Sequence, residues 1–409
     1  MLRTIQTCVA VGLLAAAAPS ASAPSETTTC PTYTSSSQGL PTESEWRSYP
    51  AVADFNGDGR LDIAATPRKA RGPRVWLANG KRWKESSLGL GLPDPSCGVG
   101  MAAADLDGDG DIDLALADHC HGLWLYMGDG KGAWRPGPQA KINRGESGVE
   151  DVAAGDVDGD GDIDLVAVGA VEGGVQLFLN DGSGRFSGLD AGLPPRGKAP
   201  NVELADLNGD GLLDVAAPYV GVGTDPGHPL EFNLVWLAGR GEDGALRYTP
   251  LRESLPHSVQ PRRVDVGDLD GDGTPDLVLT VAPPAEGAPL IRIFYGDGAL
   301  FAEAATELPK FSKEVNQQFN GIRIADLNGD GTKDLVAVQT NDDRFHIWLG
   351  TPTGAWVSCG STRVGITEEP RSTRSVDVEV ADFDADGKPD LVMSFGRIGK
   401  GGLEVWRAN

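Results

Sequence analysis

Residues 105–113 read DLDGDGDID, with a carboxylate at every odd position of a nine-residue stretch. The pattern D-x-[DN]-x-[DN]-G-x-x-D occurs seven times, and alternate side chains in so tight a loop aim oxygens at one point. Hard oxygen donors at this density suit calcium, whereas thiolate- or imidazole-preferring metals call for Cys or His. Side chains at positions 1, 3, 5 and 9 and the backbone carbonyl at position 7 make up the expected cage. The first loop offers Asp54, Asn56, Asp58, Arg60 and Asp62; the second Asp105, Asp107, Asp109, Asp111 and Asp113; the third Asp156, Asp158, Asp160, Asp162 and Asp164. The fourth offers Asp206, Asn208, Asp210, Leu212 and Asp214, and the fifth Asp268, Asp270, Asp272, Thr274 and Asp276. Asp326, Asn328, Asp330, Thr332 and Asp334 form the sixth, and Asp382, Asp384, Asp386, Lys388 and Asp390 the seventh, where Ala385 replaces a glycine of the other loops. An EF-hand would need Glu at position 12, where Ala65 and Leu116 stand.

The acidity of the chain belongs to these loops. Three carboxylates at positions 1, 3, 5 and 9 in the loops of Asp54, Asp206 and Asp326, and four in each of the other four, make 25, against a formal net charge of −24. Two carboxylates about 4 Å apart repel by about 4 kcal/mol at an effective dielectric of 20. A calcium ion at a hundred times its dissociation constant returns about 2.7 kcal/mol per site. The sequence therefore predicts up to seven structural calcium ions. A nucleic-acid partner is not expected.

The motifs start 51, 51, 50, 62, 58 and 56 residues apart, the period of a stacked supersecondary unit. Apolar alternation precedes each motif (Val264 and Val266, Ile322 and Ile324), the mark of a strand with one buried face. The residue just before the first Asp is always small: Ala53, Ala104, Gly155, Ala205, Gly267, Ala325 and Ala381, as for strands crowded round an axis. A continuous apolar run follows, then a segment with one aromatic per unit, assigned as Trp76, Trp124, Phe178, Trp236, Phe294, Trp348 and Trp406. A fourth segment adds Trp83, Trp134, Phe186, Tyr248, Phe301 and Trp356. The expected fold is all-β: a seven-bladed propeller of four-stranded antiparallel blades, with calcium loops between strands 1 and 2.

At these residues the chain resembles the FG-GAP/VCBS repeat family, which includes the integrin alpha-subunit propeller. The resemblance runs from about Trp46 to Asn409 and implies calcium between the first and second strands of each blade. It leaves the ligand open.

Residues 1–23 read as a signal peptide, with Arg3 ahead of the ten-residue apolar run VAVGLLAAAA, too short to span a bilayer. Export and a secreted or periplasmic location follow, and no membrane span is expected. Residues 24–44 are either the closing strand of the last blade, with Tyr33 as its aromatic, or a Thr/Ser-rich tail; residues 45–409 form the propeller. Cys97 and Cys120 fall opposite each other if the strands flanking the second loop pair, because Cys97 and Cys120 carry the same index sum as Ala104 and Asp113. An oxidising compartment favours that disulfide over a soft-metal cluster with His119 and His121. Cys30 and Cys359 lie towards opposite faces in the same register, which argues against their pairing.

In such blades the 1–2 and 3–4 connections share one face, and the 2–3 and blade-to-blade connections share the other. Calcium therefore takes one face. Segments 67–74, 219–232, 255–263 and 360–374 take the opposite one, with His119, His121, His228 and His257. Tyr219, His228, Phe232, His257, Arg262 and Arg263 are the candidate ligand-binding residues. The expected function is a monomeric binding or adhesion module for a protein or glycan ligand. No H-E-x-x-H or G-x-S-x-G is present and no enzyme is expected. The alternatives are a lyase-like polysaccharide enzyme using Arg262, Arg263 and His257, or a scaffolding repeat protein.

Overall fold

The computed structural model describes residues 29–46, 48–69, 71–92, 95, 97–142, 148–170, 173–221, 232–255, 260–282, 285–314, 317–340, 344–364, 375–397 and 400–409. The expected signal peptide lies outside them. The described residues form seven four-stranded antiparallel sheets, one per motif. Six are continuous in sequence; blade two, for instance, is Gly98–Ala104, Asp113–Asp118, Gly122–Gly128 and Trp134–Ile142. No helix among the described residues is long and apolar enough to cross a membrane.

The apolar runs after each motif become second strands buried on both faces. Asp164–Gly169, Asp334–Gln339 and Asp113–Asp118 are buried at every position. The small residues before each motif end the innermost strands and face the next blade. A Cβ on Gly155 would come within 2.7 Å of Leu213 Cδ1.

The seventh blade joins the two ends of the chain. Ser375–Ala381, Asp390–Arg397 and Lys400–Ala408 are completed by Tyr33–Ser35, which pairs with the last strand in the register Tyr33↔Ala408 to Ser35↔Trp406. In every other blade the residue equivalent to Ala408 pairs with the fourth-strand aromatic, as in Gly128↔Trp134 and Gly350↔Trp356. Tyr33 thus takes the aromatic's place and the ring is closed by its own N-terminus.

Two sequence expectations are corrected. Leu114 pairs with Tyr126 where Leu165 pairs with Phe178, so Tyr126, not Trp124, is the third-strand aromatic of blade two. Trp124 lies two residues earlier, half-buried, with the Lys141 ammonium 5.4 Å from its ring centre. Cys30 and Cys359 do form a disulfide, with Cα atoms 5.6 Å apart. The contrary reading carried the rise of a straight strand back from Tyr33 to Cys30. Cys30 instead precedes the strand and packs with Tyr33, Phe345, Cys359 and Trp406 in one apolar cluster. Cys97 and Cys120 are bonded as expected, with Cα atoms 5.4 Å apart.

Candidate calcium loops and the cavity on the opposite face

Each motif is a closed turn held by its own carboxylates. In the second loop Asp105 Oδ1 accepts the N–H of Gly108 at 2.8 Å and Oδ2 that of Gly110 at 2.9 Å, while Asp109 Oδ1 accepts that of Asp111 at 2.9 Å. In all seven loops the position-1 carboxylate accepts the N–H of position 6 and the position-5 carboxylate that of position 7. Position 4 has positive φ throughout, +75° at Gly108, and Ala385 adopts +58°, paying the left-handed cost that glycine avoids. Position 2 anchors the loop: Phe55, Leu106, Val157 and Phe383 are at most 2% exposed.

Position 9 does more than the motif indicates. Asp113 is fully buried, and its Oδ2 accepts the Leu106 N–H at 2.8 Å while Oδ1 accepts the Gly128 N–H at 2.8 Å. The same pair of bonds, to position 2 and to the third strand, recurs at Asp62, Asp164, Asp214, Asp276, Asp334 and Asp390. One carboxylate thus joins the loop to two strands.

Burial raises these acids against the lowering effect of their backbone bonds, and neighbouring loop carboxylates raise them further. Asp62 and Asp113 reach about 7, and Asp164, Asp214, Asp276 and Asp334 about 6. Their folded values lie above the unfolded one. In the metal-free chain the associated stability is therefore full below about pH 4 and is lost as pH rises through 6 to 7. We expect the chelated protein to melt higher at pH 5 than at pH 8, and the calcium-loaded protein to show the reverse. Thermal unfolding at both pH values checks it; a chelated chain that melts higher at pH 8 contradicts it.

The donor set fits calcium. Carboxylate oxygens at positions 1, 3 and 9 lie within 4.8 Å of one another in the loops of Asp105, Asp156 and Asp268, and also in that of Asp382, where two of the three are in contact with the Arg407 guanidinium. The Oδ1 of Asp107, at position 3, is buried without a hydrogen-bond partner, so an oxygen is left for a cation.

On the other face a cavity of about 860 Å³ lies at the mouth of the central channel, lined by Tyr49, His119, Glu150, Phe232, Arg262 and Arg263 among others. Bulges in the innermost strands aim residues into it. Register shifts at Val149/Asp151, Pro261/Arg263 and Phe319/Ile322 leave Glu150, Arg262 and Asn320 outside the ladder, and all three line the cavity. Arg262 bonds Gln318 Oε1 at 2.7 Å and Asn320 Oδ1 at 3.3 Å. His119 Nδ1 lies 2.6 Å from Glu150 Oε2, and that hydrogen bond, opposed by burial, raises the imidazole's pKa.

The floor is an ionic plug built from alternate residues of the innermost strands. Arg263 is 3% exposed, with Cζ 3.4 Å from the centre of the Tyr49 ring and Nη2 3.1 Å from Asp377 Oδ2. Asp151 lies 4.0 Å from its Nη1. One layer down, Arg323 pairs with Glu379 and reaches Asp377 at 3.5 Å. The layers leave no spare room: a Cβ on Gly100 would meet Asp151 Oδ1 at 1.9 Å, and one on Gly321 would meet Asp377 Oδ1 at 2.2 Å.

Of the candidate ligand residues, Phe232, Arg262 and Arg263 come together here, Arg263 as floor. Tyr219 does not. It is 5% exposed, its ring stacks edge-on against Trp236 at 5.6 Å, and its hydroxyl donates to the Arg196 carbonyl. As part of a second strand it faces inward between blades, where a loop residue had been expected. His228 and His257 lie outside the described residues. Sequence reasoning missed Tyr49, Glu150 and Lys198 as lining residues, along with the plug. A signal for the plug existed: Tyr49, Gly100, Asp151, Asn201, Arg263, Gly321 and Asp377 all stand four residues before the small residue of their unit.

Fold and loops together define a seven-bladed propeller carrying one acidic turn per blade. A sequence model of the FG-GAP-like repeat matches residues 54–116, 105–167, 158–217 and 326–393. The chain belongs to the FG-GAP-like repeat family. No curated protein sequence matches it. Solved structures with the same fold include the BP39L lectin from Burkholderia pseudomallei, 14% identical with a TM-score of 0.59 over 89% of this chain and 99% of that one. BBS1N, crystallised in complex with ARL6DN, is 13% identical with a TM-score of 0.53 over 90% and 93% of the two chains. The propeller domain of Myceliophteria thermophila Cps50 (Swd1) is 11% identical with a TM-score of 0.51 over 92% and 99%.

Proposed function

We propose that this chain is an exported, calcium-stabilised binding module whose protein or glycan ligand enters the cavity opposite the metal loops. The observation that carries this reading is the separation of tasks. All seven acidic turns lie on one face, while the cavity of about 860 Å³ on the other is furnished with an aromatic, Phe232, and with cations, Arg262 and Lys198. Calcium would be held by positions 1, 3, 5 and 9 and by the position-7 carbonyl, and would neutralise the loops; nothing in this reading gives it chemistry. Two disulfides fit an oxidising compartment. The fold also serves a protein named as a lectin and one crystallised with a partner protein, which suits a recognition role.

The test is a glycan array probed with the mature chain and with Phe232→Ala and Arg262→Ala variants. Binding by the parent, reduced at least tenfold in both variants with melting temperature unchanged, is the expected result. Binding that both variants retain would remove the cavity from the account. A second reading has one observation in its favour: the His119–Glu150 pair faces the same cavity as Arg262, a base beside a cation. A lyase acting on acidic polysaccharide would release unsaturated product, and loss of that release in His119→Ala would assign it. A chain that binds no glycan and releases no product would leave the protein-ligand form of this reading and a scaffold.

A further inference from the structure

We propose that the seventh loop is neutralised by the guanidinium of Arg407 and takes no calcium, so that the ring has six metal stations and one arginine station. The inference rests on the calcium reading of the other six loops. Its first support is register. In every blade the third-strand residue whose N–H bonds the position-9 Asp is preceded by one side chain, and in six blades that side chain is apolar or aromatic: Leu77, Met127, Leu179, Leu237, Tyr295 and Leu349. In the seventh it is Arg407, just before Ala408, whose N–H bonds Asp390 Oδ1 at 2.8 Å.

The second support is where this side chain goes. Arg407 Nη1 lies 2.6 Å from Asp384 Oδ2 and 3.6 Å from Asp390 Oδ2, the carboxylates at positions 3 and 9. A calcium ion would need those same two groups. The arginine side chain is 11% exposed, and its Nε lies 3.2 Å from Ser36 Oγ on the closing N-terminal segment. Arg60 and Arg135 also touch their loops, at Asp58 and Asp107, but their side chains are 46% and 56% exposed and each reaches a single carboxylate. Both are largely solvent-exposed, although Arg60 also bonds the Ala78 carbonyl at 3.0 Å, whereas Arg407 is packed in place. The blade that holds both chain ends together would then stay closed when calcium is withdrawn.

Native mass spectrometry of the mature chain, titrated with calcium, decides the matter through a matched pair of variants at the exposed position 5. Asp272→Ala is expected to lose one ion and Asp386→Ala none, from a parent count of six. Arg407→Leu, which restores the residue type of the other blades, is expected to gain one. Loss of an ion in both position-5 variants, or in neither, overturns the proposal. A parent that binds no calcium overturns it together with the reading on which it rests.

Discussion

Removing calcium is expected to lower the melting temperature of the protein by about 20 °C. At a hundred times the dissociation constant each ion returns about 2.7 kcal/mol, so six loops give about 16 kcal/mol. Spread over an unfolding entropy of about 0.8 kcal/mol/K for a chain of this length, that is about 20 °C. The size follows from the number of sites, since each loop alone contributes no more than an ordinary surface turn with a ligand. The structure also shows why the loss should be cooperative. Every position-9 carboxylate bonds both its own loop and the third strand of its blade, as Asp113 does to Leu106 and Gly128. A loop that splays under its own repulsion therefore pulls on the sheet behind it. Scanning calorimetry with and without chelator measures the shift. A change under about 3 °C would mean that the backbone bonds within the turns suffice and that the carboxylates are not a metal system. A single loop lesion, Asp272→Ala, should cost about one site, near 2.7 kcal/mol in saturating calcium.

The blades and the loops were legible because both rest on local rules. Alternation, a small residue, an acidic turn and an apolar run recur in fixed order, and each demands a particular local geometry whatever surrounds it. Tyr33 was legible only in part: an aromatic is due at that register, but the surrounding Thr and Ser residues read equally as a tail. What escaped was non-local. The bulges that turn Glu150 and Arg262 out of their strands depend on how innermost strands meet at the axis, and no residue type announces them. Cys30–Cys359 needed the path of the chain ahead of the strand Tyr33–Ser35, which a register count along that strand leaves out. Tyr219 reads in the sequence as a loop residue because it borders an insertion, yet the strand Asp214–Val220 continues through it into the core. The plug lay between these cases. Its residues keep a strict offset from the small residue of each unit, but charges of both signs at one offset carry meaning only once the strands are known to converge.

That convergence makes Arg263 the most consequential single side chain outside the loops. Its guanidinium comes from blade five and meets Tyr49 of blade one, Asp151 of blade three and Asp377 of blade seven, with Nη1 3.4 Å from the Pro200 carbonyl. Removing one partner of a buried pair leaves the other charge uncompensated, which costs about 3–5 kcal/mol, more than the pair itself contributes against a well-packed apolar replacement. Arg263→Met should therefore be destabilised by about that amount in urea unfolding. Arg263→Met combined with Asp377→Leu should recover part of the loss, because Arg323 retains Glu379. The deficit should also depend on pH in a stated direction. Asp151 stands at about 7 through burial, even with Arg263 lowering it, so in Arg263→Met its folded pKa rises further above the unfolded value. A folded pKa above the unfolded one means that stability is present at low pH and is lost as pH rises through it. The variant should accordingly fall further behind the parent at pH 8 than at pH 5. A deficit below about 1 kcal/mol at both would show that the blades carry the axis without the ion pairs. One that is the same at pH 5 and pH 8 would mean that Asp151 is already ionised in the folded chain and is held by something other than Arg263.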